Sequence, residues 1–425
     1  MTRRRLAVLA LAPALLLGGT GARAQHLSQK GFADAKGTFY PQEAPNDATQ
    51  AVGEFLFRHE ASARPSSWFR LTGALDVRAD THEQTEWDGL DWSDRGVKRP
   101  VLGVRRLDAI ASRGPFTLQA GKQLVRWGKT DLLNPTDRFA PRDFLSVVDN
   151  ELLAVTAARL TAARLADSLD VVVSRFTPSR TPLLDQRWAG LGDAASQVEI
   201  VDRGADLPGR VQAGARWNHV GRGYELSLSG FTGNNHLPLL VNATPPLLAA
   251  APAAVPPPGV RPRIEVLRVY PEIWTVGGDA AVPLRVLTLK GEAAFFGTND
   301  DRADRYWLYV IQVEHQAGEW LLTGGYAGEV VTTQRVNVSF APDRGLTRAF
   351  LGRASYTIDT NRSAAVEGAI RQDNSGSWVR GEYSQASGQH LRFTAQGAWI
   401  RGEPDDFFGR YRRNSNVVLA VRYSY

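Results

Sequence analysis

The sequence predicts an all-β chain: a transmembrane antiparallel β-barrel of about 16 strands, within 14 to 18, with short periplasmic turns and long extracellular loops. Three observations predict it. Polar and apolar residues alternate through one segment after another, the pattern of a strand with one wet and one apolar face. The connections alternate between short and long. Aromatic residues gather near the segment ends, as in Trp68-Phe69, Tyr306-Trp307, Trp320, Tyr356, Trp399 and Tyr423-Tyr425. The 425 residues are 43% hydrophobic, with a mean hydropathy of −0.26. That excludes a bundle of membrane helices, which needs several apolar runs of about 20 residues. It leaves room for a barrel, whose strands are only half apolar.

Residues 1–24 read as a signal peptide: a basic start (Arg3, Arg4, Arg5), an apolar core from Leu6 to Leu17, and the small-x-small pattern Ala22-Arg23-Ala24 before Gln25. The formal charge is +6. Four of the arginines, Arg3, Arg4, Arg5 and Arg23, belong to the leader, so the balance that remains is slight and a nucleic-acid partner is not expected. The absence of cysteine excludes disulfide scaffolds and thiolate metal sites and suits an oxidising compartment.

Residues 25–67 read as an N-terminal periplasmic or plug-like segment. Within it Ala51–Ala61 fits a helical stripe (Val52, Phe55, Leu56, His59) as well as one extra strand. The barrel is expected over 68–425. From Trp68, Arg70, Thr72, Asp76 and Arg78 oppose Phe69, Leu71, Leu75 and Val77. From Val286, Thr288, Lys290 and Glu292 oppose Leu287, Leu289, Ala293 and Phe295. Thr323 and Glu329 oppose Leu322, Tyr326 and Val330, and Glu367 and Arg371 oppose Val366 and Ile370. Arg380, Glu382 and Ser384 oppose Val379 and Tyr383, and Arg392, Thr394 and Gln396 oppose Phe393 and Trp399. Leu152–Leu165 is rich in Ala, Leu and Arg but lies between a long loop and a tight turn, so it reads as a strand. Short turns fall at 112–115, 166–167, 220–222, 283–284, 317–318, 359–361 and 387–389. Long loops fall at 81–100, 128–151, 177–208, 233–263, 331–345 and 402–413. The stretch Leu237–Val260 holds seven prolines, which exclude a helix there. The last strand sets Arg422 against Val421, Tyr423 and Tyr425. Its terminal aromatic and apolar stripe resemble the sorting signal read by the bacterial barrel-assembly machinery, an edge strand suited to strand pairing. The expected location is the bacterial outer membrane, with outer-membrane lipid and that machinery as partners.

Catalytic chemistry is not expected. No two of the seven histidines are spaced as a local zinc pair, and the G-x-S-x-G elbow is absent. Gly128-Lys129-Thr130 resembles the end of a phosphate loop, but Gln123 stands where that loop needs glycine. No enzyme, metal or cofactor is read from the chain.

The stretch Gln119-Ala120-Gly121-Lys122-Gln123-Leu124-Val125-Arg126-Trp127-Gly128, followed by Asn134-Pro135-Thr136-Asp137, resembles the "G-[RK]-Q-x-[VI]-x-W-G … N-P-x-D" stretch of a family of uncharacterised Gram-negative outer-membrane barrels. That family is a domain of unknown function related to alginate-export-type barrels. Phe176–Arg180, Leu289–Phe296, Gly324–Glu329 and Phe407–Tyr411 agree with it as well. The resemblance implies a passive pore, or the outer-membrane partner of an inner-membrane or periplasmic transport system.

The functional expectation is a porin-like channel for passive passage or export of a polar or anionic solute through a lumen of mixed charge. The alternative is a structural or docking barrel filled by a partner. Lumen and constriction candidates are Arg70, Arg78, Arg126, Lys129, Arg138, Arg142, Lys290, Glu292, Arg371, Arg380 and Arg392. The loop after Trp127 either folds inward, placing Lys129, Arg138 and Arg142 at a constriction, or packs on the rim. The inward charges read either as cross-strand ladders that stiffen the wall or as a selective charged eyelet.

Overall fold

The computed structural model describes residues 27–191, 198–243, 261–335 and 338–425. The expected signal peptide lies outside them, as does most of the proline-rich stretch after Asn242. The described chain is an all-β closed barrel of 18 antiparallel strands with one further strand outside the ring.

In chain order the wall is β1 Leu27–Phe39, β2 Ala51–Ser66, β3 Phe69–Asp80, β4 Arg99–Arg113, β5 Phe116–Gln123 and β6 Val155–Arg164. It continues as β7 Asp167–Arg175, β8 Val211–Gly221, β9 Tyr224–Asn234, β10 Glu272–Pro283, β11 Thr288–Gly297 and β12 Arg305–Ala317. It ends as β13 Trp320–Thr333, β14 Ala349–Thr357, β15 Arg362–Arg371, β16 Gly376–Ser387, β17 Leu391–Gly402 and β18 Asn416–Ser424. Each strand pairs with the next. β18 closes on β1 from Phe32↔Ser424 to Phe39↔Val417, as lipid requires, since it cannot satisfy an open edge.

Every short turn expected from the sequence joins two wall strands, and β3 to β18 are the sixteen strands expected after Trp68. The count is nonetheless 18. The additional two, β1 and β2, lie in the segment read as periplasmic or plug-like, with at most one strand. Their alternation is masked. Between Leu27 and Phe39 at its ends, the outward positions of β1 from residue 31 to 37 are Gly31, Ala33, Ala35 and Gly37, which carry almost no apolar signal. In β2 the outward Phe55 and Phe57 flank an inward Leu56.

The outer face is apolar. Leu71, Leu118, Leu169, Val171, Leu228, Val276, Ile311, Val330, Ile370, Leu419 and Val421 are large, exposed and outward. Tyr425 ends the closure: its backbone pairs with Gly31 at 3.1 and 3.0 Å. Its hydroxyl lies 3.0 Å from His59 Nδ1, and its ring stacks on Phe57 and His59. Gly31 is required there, since a Cβ would lie 2.4 Å from that hydroxyl.

β5 is short because the chain leaves the wall at Leu124. Gly121, at φ +122°, makes the departure possible, since a Cβ there would meet the Leu107 carbonyl at 2.3 Å. The edge of β4 thus vacated is hydrogen-bonded in parallel by Thr85–Asp91, from Thr85↔Arg99 to Asp91↔Gly103. On the long-loop rim a small separate sheet joins Glu199–Asp206, Arg263–Val269, Leu239–Asn242 and Val338–Ser339.

Candidate functional site

From Leu124 to Ala154 the chain folds inside the barrel. Val125, Trp127 and Phe139 are almost fully buried. They pack on inward residues of β7 to β12, among them Val172, Phe231, Ile273, Phe296 and Leu308. Trp127 meets Phe139 edge-on at 5.0 Å, and Phe139 meets Phe231 at 5.1 Å. Removing such rings from water stabilises the seat by about 25 cal/mol per Å². The Trp127 indole N–H donates to Asp170 of β7 at 3.2 Å.

Glu292 of β11, 3% exposed, is the peg of this inner loop. Its carboxylate accepts the backbone N–H groups of Lys129 at 3.0 Å and Thr136 at 2.8 Å. It also accepts the hydroxyls of Thr130 at 2.9 Å and Thr136 at 2.8 Å. Gly128, at φ +90°, lets the carboxylate this close, since a Cβ there would stand 2.7 Å from both oxygens. The Trp-Gly and Asn-Pro-Thr positions are therefore the two halves of one carboxylate cradle.

The loop then crosses the bore. Asp131 meets Lys290 at 2.8 Å and Gln312 at 2.6 Å. Asp149 meets Lys36 of β1 at 3.0 Å. Glu151 meets Arg58, Arg78 and Arg105 of β2 to β4 at 2.8, 2.9 and 3.2 Å. Burial pushes the Glu151 carboxyl up, but Arg105, Arg78 and Arg58 outweigh it and hold it down at about 2. Arg380 of β16 donates to the Val148 carbonyl at 3.2 Å. Asp143 takes Arg99 of β4 at 2.8 Å and Arg180 from the next long loop at 3.4 Å. His236 adds a third loop, its ring nitrogens 2.5 Å from the Thr177 carbonyl and 2.8 Å from that of Arg138. Two carbonyls would favour a charged ring, yet burial dominates and lowers its pKa to about 4. Full burial of the ring makes the neutral form the ground state.

The inward-folding alternative for this loop is the one observed, but the expected lumen residues do not form one ring. Arg126, Lys129, Arg138 and Arg142 lie on the inner loop. Arg126 stands 3.7 Å from Asp137, and Lys129 pairs with Glu225 of β9. Arg138 lies over the Phe296 ring, 4.8 Å from its centroid, and Arg142 donates to Asn150 at 2.8 Å. Arg78 and Lys290 are wall residues that grip the loop. Glu292 is buried beneath it and faces no open lumen. Arg70 is inward, with its Nε buried. Arg371 is bound at the long-loop rim, to the Thr347 carbonyl at 2.6 Å and Asp406 at 3.2 Å. Arg392 sits near the other end of its strand, on Ser384 at 2.9 Å.

Cross-strand ladders are present. Arg58–Asp76, Lys290–Glu314 and Arg353–Glu367 pair across neighbouring strands at 2.6, 3.0 and 2.8 Å, Arg380 joins Glu367, and Arg216 of β8 reaches past β9 to Asp279 of β10 at 2.7 Å. The sequence reading missed Asp131, Glu151 and the apolar seat. One signal marked that seat: Tyr306–Ile311 is apolar on both faces.

Between the inner loop and β14 to β17 a cavity of about 370 Å³ remains, lined by Asp149, Glu367, Trp378, Arg380, Ile400 and Tyr411 among others. A second, of about 200 Å³, lies against Asn134, Asp137, Arg138, Ser179 and His236. Arg142, Asp131 and Asn150 border both.

No family model matches the chain, and no curated protein does. Among solved structures it is similar to a BenF-like porin from Pseudomonas fluorescens Pf-5, at TM-score 0.53 and 8% identity over 94% of this chain and 98% of that one. It is also similar to Acinetobacter baumannii OccAB4, at 0.52 and 8% over 95% and 99%. Pseudomonas aeruginosa OccK3 (OpdO) follows at 0.51 and 11% over 94% and 96%. At these identities the likeness is one of fold, and that fold is a porin's. The alginate-export-type resemblance rests on its motifs alone.

Proposed function

We propose that the protein is an outer-membrane channel that passes a small polar solute through the gap between its inner loop and β14 to β17. The apolar outer face and the closed porin-like wall support the membrane setting. One observation carries the channel reading. The inner loop is pegged to β11 and packed on β7 to β12; its Leu133 and Val147 also join apolar residues of β14, β15 and β17, yet that side keeps a cavity of about 370 Å³ lined in part by Glu367 and Arg380, with Arg353, the outer partner of Glu367, 46% exposed. A gap of this size suits a small solute better than a polymer chain. A docking barrel filled by a partner is the competing reading, and conductance separates the two.

The chain has no cysteine, so single thiols report cleanly. Thr323→Cys, inward on β13 beside Arg353, should lose current in a planar bilayer when a charged thiol reagent is added. Ala294→Cys, 1% exposed beneath the inner loop, should not respond. Equal responses, or no current from the unmodified barrel, would refute the proposed route.

A further inference from the structure

The short-turn rim of the barrel is basic on one side. Four successive turns each carry one arginine: Arg113 between β4 and β5, Arg164 between β6 and β7, Arg222 between β8 and β9, and Arg285 between β10 and β11. All four are exposed, and among the described residues none of them meets a carboxylate. Two acids lie close by, and both are engaged. Asp167 accepts the Trp217 indole N–H at 3.0 Å and stands 3.0 Å from His219 Nδ1. Glu225 turns inward and pairs with Lys129. The rest of the rim is different. Arg362, between β14 and β15, is held by Asp359 at 2.6 Å, and the turn between β12 and β13 carries Glu319.

Neighbouring strands lie about 4.8 Å apart, so successive turns stand roughly 10 Å apart along the rim. The four arginines therefore form an arc over β4 to β11. They point away from the bore. Arg113 lies opposite Phe116, and Arg164 opposite Asp167. In that register both share the side of Leu118, Leu160 and Leu169, which are large, exposed and outward. Each arginine also has an exposed apolar neighbour: Phe116, Leu165, Tyr224, or Leu284 with Val286. An arginine just beyond the last apolar residue of a lipid-facing strand lays its stem along hydrocarbon and its head at the level of the lipid headgroups. Its planar fork matches a phosphate.

We propose that Arg113, Arg164, Arg222 and Arg285 form a binding arc for anionic phospholipid in the leaflet on the short-turn side. This rests on the membrane-spanning wall and not on the channel reading. An acidic protein docked on the turns is the competing occupant, and the outward direction and apolar neighbours of the arginines favour lipid. The test uses the full barrel in detergent, given equal amounts of phosphatidylglycerol and phosphatidylcholine, with the lipid retained on the barrel counted by native mass spectrometry. Wild type should retain phosphatidylglycerol in preference. The quadruple variant R113Q/R164Q/R222Q/R285Q should lose that preference by roughly tenfold or more. The matching quadruple lysine variant should keep most of it, because the charge remains. Arg362→Gln, outside the arc, should leave it unchanged. Heat-modifiable migration on gels confirms that each variant is folded. No preference in wild type, a folded quadruple glutamine variant with wild-type preference, or an equal loss in Arg362→Gln overturns the proposal. If the glutamine variant keeps its lipid and instead loses an acidic protein cross-linked to wild type in whole envelopes, the arc is a protein-docking surface and the lipid reading falls. Conductance is not part of the readout, so a silent barrel removes the channel reading and leaves the arc standing.

Discussion

Gly128 and Glu292 show how two residues decide where thirty others go. A backbone at φ +90° with no Cβ admits a carboxylate that gathers three backbone N–H groups and two hydroxyls. Each hydrogen bond to a charged group is worth about 1.5–3 kcal/mol. Glu292→Gln should therefore loosen the inner loop by at least about 3 kcal/mol. Gly128→Ala should do the same through strain and collision. The readout is limited proteolysis of the inner loop, with cleavage expected in both variants and resistance in wild type. Protection equal to wild type would show that the peg does not hold the loop. Asp137 supplies a pH dependence. Burial is the main cause that raises its carboxyl to about 6, against the Trp127 N–H and nearby arginines. Below about pH 6 it is neutral and the cavity gains positive charge, so chloride preference should rise as pH falls through 6. Asp137→Asn should hold the high preference at every pH. A pH step that persists in that variant would assign the titration to another group.

At the scale of elements, strands were legible wherever one face met lipid and the other met polar groups. β3, β11, β15, β16 and β17 carry that contrast in every second residue, and their turns are marked by Gly, Asp, Asn and Pro. Legibility failed where the environment is not two-sided. β1 turns Gly and Ala outward, so it lacks the apolar half of the pattern. The first half of β12, Tyr306–Ile311, is apolar on both faces because one face is the barrel's outer surface and the inner loop covers the other. Such a run reads as ordinary core, although it marks where something lies inside the barrel. The inner-loop arginines were legible as a group. Their separation from Arg371 and Arg392 was not, since periodicity gives the face of a residue and not its height along the bore. The Arg99–Asp143 tie, at 2.8 Å, joins wall to loop, and removing one partner of a buried pair costs about 3–5 kcal/mol. Arg99→Ala should lower the thermal stability of the detergent-solubilised barrel, and Arg99→Lys should lower it less. Identical melting of all three would mean that the tie is not structural.

At the scale of the molecule, a formal charge of only +6 over 425 residues matches a lumen in which acids and bases largely neutralise one another. An 18-stranded wall is wide enough to leave an aqueous channel, and the inner loop crosses that bore. Solvent-filled width and conductance are linked directly. The decisive measurement is single-channel conductance of the intact barrel beside a variant lacking Thr130–Asp143. An inner loop that constricts an open pore predicts a small, steady conductance in the intact barrel and a severalfold larger one in the deletion. Silence from both, or equal currents and equal ion selectivity, would contradict it.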